Sequence, residues 1–450
     1  VIELQAKLGT TPISAIKLDL NSRDEIPKVL MGLQHIYSNG KTREKLFRIL
    51  KTILPKGINN RVGRRGMDIW QICVLGVIRL SCNWDYDKLH EMVNNHKTLR
   101  QMLGHGILDN DYIYALQTLK DNVRLLTQEH VDQINQIVVE AGHELLGRKA
   151  SEELQGKCDS FVVETNVHYS TDANLLYDAI RKIINLTSQE CKAAGIKGWG
   201  KSKANIKKVK KCLYRIQNLK RSTSQDEKKK EQRKEVIREA YNGYIQTAET
   251  FLTKAAETII DLMKVNTEVL PVNLLEIERY MNHARRQIDQ IERRVCNGEK
   301  IPHGEKVFSL FEEHTEWICK GKAGIHQELG LRVCILRDQH GFVLYHHVME
   351  KQTDDKVGKL MVDEARARFC NLSSCSFDKG FYSPQNFKDL LERLTKVILP
   401  KKGKLSSKEK EIEQSEEFLR TRRKHSSVES TINALEHSGL DRCHDHGIIG

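Results

Sequence analysis

The chain has 450 residues and a mass of 51.8 kDa, enough for several domains that each bury a core. Apolar residues make up 39% and charged residues 30%, and no apolar run approaches the roughly 18 residues of a membrane-spanning helix. The formal net charge of +13 points toward polyanionic partners, while eleven scattered cysteines without a CxxC pair argue against a disulfide frame or a zinc module.

Residues 24–147 read as helical, with apolar positions three and four apart: Leu46, Ile49, Leu50 and Ile53, then Ile69, Cys73 and Val77. Short breaks separate the helices, among them the basic loop GINNRVGRRG (57–66), which holds Arg61, Arg64 and Arg65. Short helices with tight turns and a basic loop suit a helix-turn-helix-like DNA-binding unit or a plain helical bundle.

The texture changes at CDSFVVETNVHY. Strict alternation puts Asp159, Phe161 and Val163 on one face of a strand and Ser160, Val162 and Glu164 on the other. A Ser-Thr-Asp turn (170–172) then opens an amphipathic helix from about Asn174 to Leu186.

Strand signals vanish between about 200 and 296. One helix is marked by Ile206, Val209, Leu213 and Ile216, and a long one runs from Val236 to Leu262. A third carries Leu274, Ile277, Met281, Ala284, Ile288, Ile291 and Val295, spaced 3,4,3,4,3,4 as in a coiled-coil seam. Lys197 to Arg238 holds 16 Lys/Arg against 4 Asp/Glu, a surplus of 12 that nearly equals the net charge of the whole chain. The region reads as an antiparallel helical arm whose basic end, with Lys201, Lys203, Lys207 and Lys208, contacts DNA, or else as a solvated coiled coil that its lysines keep soluble, the clustering at one end favouring DNA. Trp199, among lysines in GIKGWGK, reads either as an exposed aromatic for stacking on a flipped base or as packing at the base of the arm.

Strands return in LGLRVCILRD and GFVLYHHVME, a hairpin turning at Gln339-His340-Gly341. A helix over 354–369, a strand LSSCSFD ending at Asp378 and a helix opened by Ser383-Pro384 follow. The strand KVILP (396–400) leads through a polar loop to a final helix from about Glu416 past Glu436.

Three acids hold distinctive places. Asp159 lies on the first strand, Asp378 ends a later strand, where ligands of open α/β sheets gather, and Glu429 sits in the last helix. Val428, Ile432 and Leu435 form that helix's buried stripe, so Glu429 borders the core-facing seam. Carboxylates are the donors that Mg²⁺ and Mn²⁺ prefer, and a pair of such ions serves phosphodiester chemistry. Arg422, Arg423, Lys424 and His425 just before Glu429 are candidates for phosphate contact.

Three stretches, DSFVVETNVHYSTDANLLYDAIRK (159–182), FDKGFYSPQN (377–386) and HSSVESTINALEHSGLDRC (425–443), resemble the signature blocks of DDE transposases of bacterial insertion sequences. The likeness spans most of 40–450 and implies catalytic, metal-binding acids at Asp159, Asp378 and Glu429, the three already singled out. It implies a mixed α/β chain: an RNase H-like core split by a long helical, coiled-coil-like insert and preceded by an all-α DNA-binding region. The expected parts are 1–150 for binding DNA ends, 151–190 and 313–450 for the core, and 191–312 for the arm. The 219 residues separating the two aspartates mark one departure, since the insert precedes the hairpin. Another is that His425 and Glu436 occupy the places where some relatives carry an arginine and a lysine.

The expectation is a transposase that binds terminal inverted repeats, hydrolyses the phosphodiester at the element ends and joins the freed 3′-hydroxyl to target DNA. It would use two Mg²⁺ (or Mn²⁺) ions and act on double-stranded DNA as a homodimer, in the bacterial cytoplasm near the nucleoid and away from membranes. The alternatives are an inactive, transposase-derived DNA-binding repressor and a structure-specific metal-dependent nuclease.

Overall fold

The computed structural model describes residues 9–54, 66–106, 111–149, 152–221, 226–265, 272–319, 327–445 and 447. Arg61, Arg64 and Arg65 lie outside the described residues. The chain divides into two compact units, one of Val1–Asn166 with Gly330–Gly450 and one of Val167–Leu329. Among the described residues, no helix is long and apolar enough to cross a membrane.

Among its described residues the first unit opens with seven α-helices: α1 (Ile26–Ser38), α2 (Gly40–Leu50), α3 (Ile69–Ser81), α4 (Tyr86–Asn95), α5 (Lys97–Met102), α6 (Leu116–Val123) and α7 (Gln128–Leu145). Most bury one stripe at the 3.6-residue period, whereas α3 is buried nearly all round. Trp70 on α3 is wholly buried at the centre and donates its indole N–H to the Met102 carbonyl at 3.0 Å. Two helix starts are fixed by reciprocal capping, Asp68 with Gln71 for α3 and Thr127 with His130 for α7.

β1 (Leu154–Thr165) follows and is longer than the strand predicted over 158–164. After the second unit the chain returns with β3 (Gln327–Arg337), β4 (Val343–Met349), α12 (Asp354–Arg368), β5 (Leu372–Phe377), α13 (Pro384–Leu391) and β6 (Lys396–Ile398). The order β4-β3-β1-β5-β6 makes a mixed sheet. β3 runs antiparallel to β1 and β4, while β1, β5 and β6 are parallel. One face packs Cys158, Leu336 and Phe377 against α12 residues Val357, Met361 and Ala365. On the other face Phe161, Val163 and Ile335 meet Val428 and Ile432. The two chain crossings into and out of the second unit are neighbours in the sheet, with Glu164 opposite Gly330. A Cβ on Gly330 would stand 2.1 Å from the Val163 carbonyl oxygen, so only glycine permits that approach.

The end of the chain differs from the single helix predicted. It forms α14 (Ser407–Gln414), α15 (Glu416–His425), α16 (Ser427–Leu435), a π turn (Glu436–Leu440) and β7 (Arg442–Cys443) beside the end of β1. The polar segment read as a loop is helical from Ser407 because Ser406 and Glu409 form a capping box. Arg442 ties β7 to β1 through a 2.7 Å ion pair with Glu164.

The second unit holds α8 (Asp172–Ala193), α9 (Ser202–Lys220), the 39-residue α10 (Glu227–Val265), α11 (Val272–Val295) and β2 (Glu316–Cys319). Leu274, Ile277, Met281, Ala284, Ile288 and Ile291 all turn into this unit's own core, in which α8 packs along α11. The heptad-like seam is thereby used inside the chain rather than offered to a second copy. Trp199 is also interior, at 2% exposure. Its indole N–H donates to Thr258 Oγ1 at 2.9 Å, Lys254 lies over the ring and Phe251 packs nearby. The exposed, base-stacking role considered for Trp199 is therefore corrected: residues more than fifty positions away close over it.

Candidate active site

Strand register places the two aspartates. Pairing of β1 with parallel β5 ends at Cys158 opposite Phe377, so Asp159 and Asp378 each stand one step beyond that pair on adjacent chains. In-register residues of parallel neighbours point to the same face. Asp378 is not the last strand residue, as predicted, but the first beyond it, capping a short turn over Lys379–Phe381. That leaves Asp378 exposed while Asp159 is partly enclosed.

Helices α15 and α16 lie over this face. Val428 and Ile432 seat α16 on Phe161 and Ile335, as the predicted stripe requires, and Glu429 follows Val428 with its side chain exposed. His425, the last residue of α15, meets the hydroxyl of Ser376, two residues before Asp378, at 3.0 Å from Nδ1. Its other ring nitrogen, Nε2, is buried with no hydrogen-bond partner. Lys157, two residues before Asp159, donates to Ser427 Oγ at 2.5 Å, and the Arg337 guanidinium donates to the Ser427 carbonyl at 3.0 Å and to Thr431 Oγ1. Two cations of the sheet thus fasten the start of the helix that carries Glu429.

The acids feel one another. The Asp159 carboxyl is pushed up to about 6, first by burial and then by the fields of Asp378, Asp354 and Glu429, against a 2.8 Å hydrogen bond from the Ser160 amide. Burial lowers the His425 imidazole, with Lys157 acting the same way and Asp378 and Glu429 opposing. Burial also lowers Lys157, helped by Arg337 and Lys424. Among the described residues no three His, Cys, Asp or Glu side chains stand close enough to share one metal ion. The donor chemistry nevertheless suits a hard divalent cation: oxygen ligands only, in a mutual repulsion that a cation would relieve.

Sequence reasoning missed Asp354, Lys157 and Ser376. Asp354 opens α12 and contributes to the field at Asp159. Lys157 and Ser376 occupy the same sheet face as Asp159 and Asp378, two residues upstream of each, so alternation alone could have found them. Among the predicted DNA contacts, Lys201, Lys203, Lys207 and Lys208 are exposed at the start of α9, and Arg422, Arg423 and Lys424 are exposed on α15.

Residues 294–447 match the family model described as Transposase DDE domain. The matched segment contains Asp354, Asp378, His425 and Glu429 and begins after Asp159. Neither the curated proteins nor the solved structures offer a match. The matched segment is thus similar to a transposase DDE domain, a family whose members are metal-dependent enzymes that process nucleic acid.

Proposed function

We propose that this chain cleaves DNA at transposon ends and joins the freed 3′-hydroxyl to target DNA, with Asp159, Asp378 and Glu429 as the catalytic acids. The observation that carries the reading is the β1/β5 register: it sets Asp159 beside Asp378 on the face covered by the helix of Glu429. The sheet order, with three antiparallel strands on one side and parallel strands on the other, supports an RNase H-like core split by the helical insert.

The three carboxylates would hold two Mg²⁺ or Mn²⁺ ions, which when bound supply an activated attacking oxygen and charge relief at the leaving one. The remaining work falls to the chain's own groups. Lys157 and Arg337 fix the start of α16 and so the reach of Glu429. His425, braced by Ser376, would join the end of α15 to the strand that leads into Asp378. Arg422, Arg423 and Lys424 add positive charge on the approach to it.

Double-stranded DNA would be gripped by two surfaces. The helical region 24–147 would read the terminal repeats. In the second unit α9 contains no Asp or Glu, and its exposed Lys203, Lys207, Lys208, Lys210 and Lys211 form a phosphate-seeking face. Two ends must meet for transposition, which calls for a homodimer on DNA.

The test replaces each acid separately, Asp159→Asn, Asp378→Asn and Glu429→Gln, and incubates the protein with labelled element ends and Mg²⁺. Cleavage should fall at least a thousandfold in each while end binding persists. Full cleavage by any one of them would remove that residue from the site. Cleavage without joined products by the unaltered chain would turn the reading toward a nuclease.

A further inference from the structure

A fourth acid, Asp354, lies against both strand β1 and the turn that follows β5. It is the first residue of α12, where a carboxylate is favoured by the helix N-terminus. The capping position before it belongs to Thr353, whose hydroxyl turns to Asp355 at 2.6 Å. Asp354 is directed elsewhere. Its Oδ1 accepts the Ser160 hydroxyl proton at 2.7 Å, and Ser160 is the residue after Asp159 on β1.

The other oxygen, Oδ2, lies against Gly380, two residues after Asp378. A Cβ added at Gly380 would come within 2.8 Å of it. A side chain at this position of the Asp378 turn would push the Asp354 carboxylate aside. That turn is held from its far side by Lys402, whose ammonium donates to the Gly380 carbonyl at 2.7 Å.

We propose that Asp354 is a positioning residue that sets the spacing of Asp159 and Asp378, one carboxylate oxygen on strand β1 and the other against the turn after β5. This rests on the reading of those two aspartates as ligands of a divalent ion. Groups that orient ligands from behind typically control metal affinity by tenfold to a hundredfold. The hydrogen bond to Ser160 and the packing on Gly380 are independent of each other, and removing the carboxyl abolishes both.

The experiment measures Mn²⁺ binding to the full-length chain by electron paramagnetic resonance, with Mg²⁺-dependent end cleavage measured in parallel. Asp354→Ala should raise the half-saturating Mn²⁺ concentration at least tenfold, and Ser160→Ala several-fold. Asp354→Asn keeps an acceptor oxygen of the same shape and should restore most of the binding. Gly380→Ala, which crowds the carboxylate, should imitate Asp354→Ala. If Asp354→Asn is as weak as Asp354→Ala, charge rather than spacing matters and the positioning role is overturned. Unchanged affinity in Asp354→Ala also overturns it while leaving the proposed function intact. No Mn²⁺ binding by the unaltered chain would overturn both.

Discussion

The imidazole of His425 rests on the hydroxyl of Ser376, 3.0 Å from its Nδ1. This contact joins the end of α15 to the strand that leads into Asp378, and it leaves Nε2 enclosed with nothing to bond. A buried polar atom without a partner costs about 1–3 kcal/mol, and the ring lies in the fields of Asp378 and Glu429. His425→Ala is expected to slow end cleavage roughly tenfold to a hundredfold, with end binding and melting temperature nearly unchanged. An unaltered single-turnover rate would show that the ring only packs.

Asp159 makes a stability prediction of unusual sign. Its carboxyl sits at about 6 in the folded chain against an ordinary 3.8, chiefly through burial and then through Asp378, Asp354 and Glu429. The folded state thus holds the proton more tightly than the unfolded one. Stability falls as pH rises from about 4 to 6, and the whole cost is present above that. In chelator at pH 7.5, Asp159→Asn should melt higher, by roughly 1–3 kcal/mol of unfolding free energy. The gain should disappear near pH 4, and a lower melting temperature at pH 7.5 would contradict the assigned burial and repulsion.

For the same reason metal binding should weaken as pH drops through 6, because the Asp159 carboxylate is then protonated. Titrating Mn²⁺ at pH 5.0 and 7.5 checks this, and equal affinities would show that Asp159 is not a ligand.

The α9 surface is tested by charge. Replacing Lys203, Lys207 and Lys208 together with Glu should cut affinity for DNA more than tenfold. It should also flatten the salt dependence, by roughly 1 in slope for each phosphate no longer neutralised. Retained affinity and slope would make the arm a solvated structure with no DNA role.

Trp199→Ala should destabilise the second unit by roughly 3–5 kcal/mol, as expected for a large ring removed from a core. The Thr258 hydroxyl also loses its indole donor. Limited proteolysis of α8–α11 together with calorimetry would register it. A variant that stays folded but loses base-specific protection of DNA would restore the stacking role.

Periodic patterns carried most of the architecture. The 3,4 spacing on α11 marks the side chains that are buried, and the alternation on β1 separates Phe161 and Val163, which meet α16, from Cys158 on the α12 face. Glu429 was legible because Val428 and Ile432 fix the orientation of its helix, and Asp378 because a strand ends beside it. Trp199 was ambiguous because lysines flank it in sequence, while Phe251 and Thr258, which enclose it, arrive from α10. Asp354 was invisible for another reason: an acid opening a helix is ordinary, and only the folded chain brings Ser160 and Gly380 to its two oxygens. The break between α15 and α16 left no mark either, since polar residues on both sides of Ser426 are compatible with one continuous helix.

The pairing of Glu164 with Gly330 means that the chain leaves and re-enters the sheet through adjacent ladder positions. A short reverse turn could bridge those positions in place of everything from Val167 to Leu329. Exchanging or enlarging this module would leave Glu164 and Gly330, and so the ladder between β1 and β3, in place. A graft at that doorway would change what the protein holds without retuning the chemistry it performs.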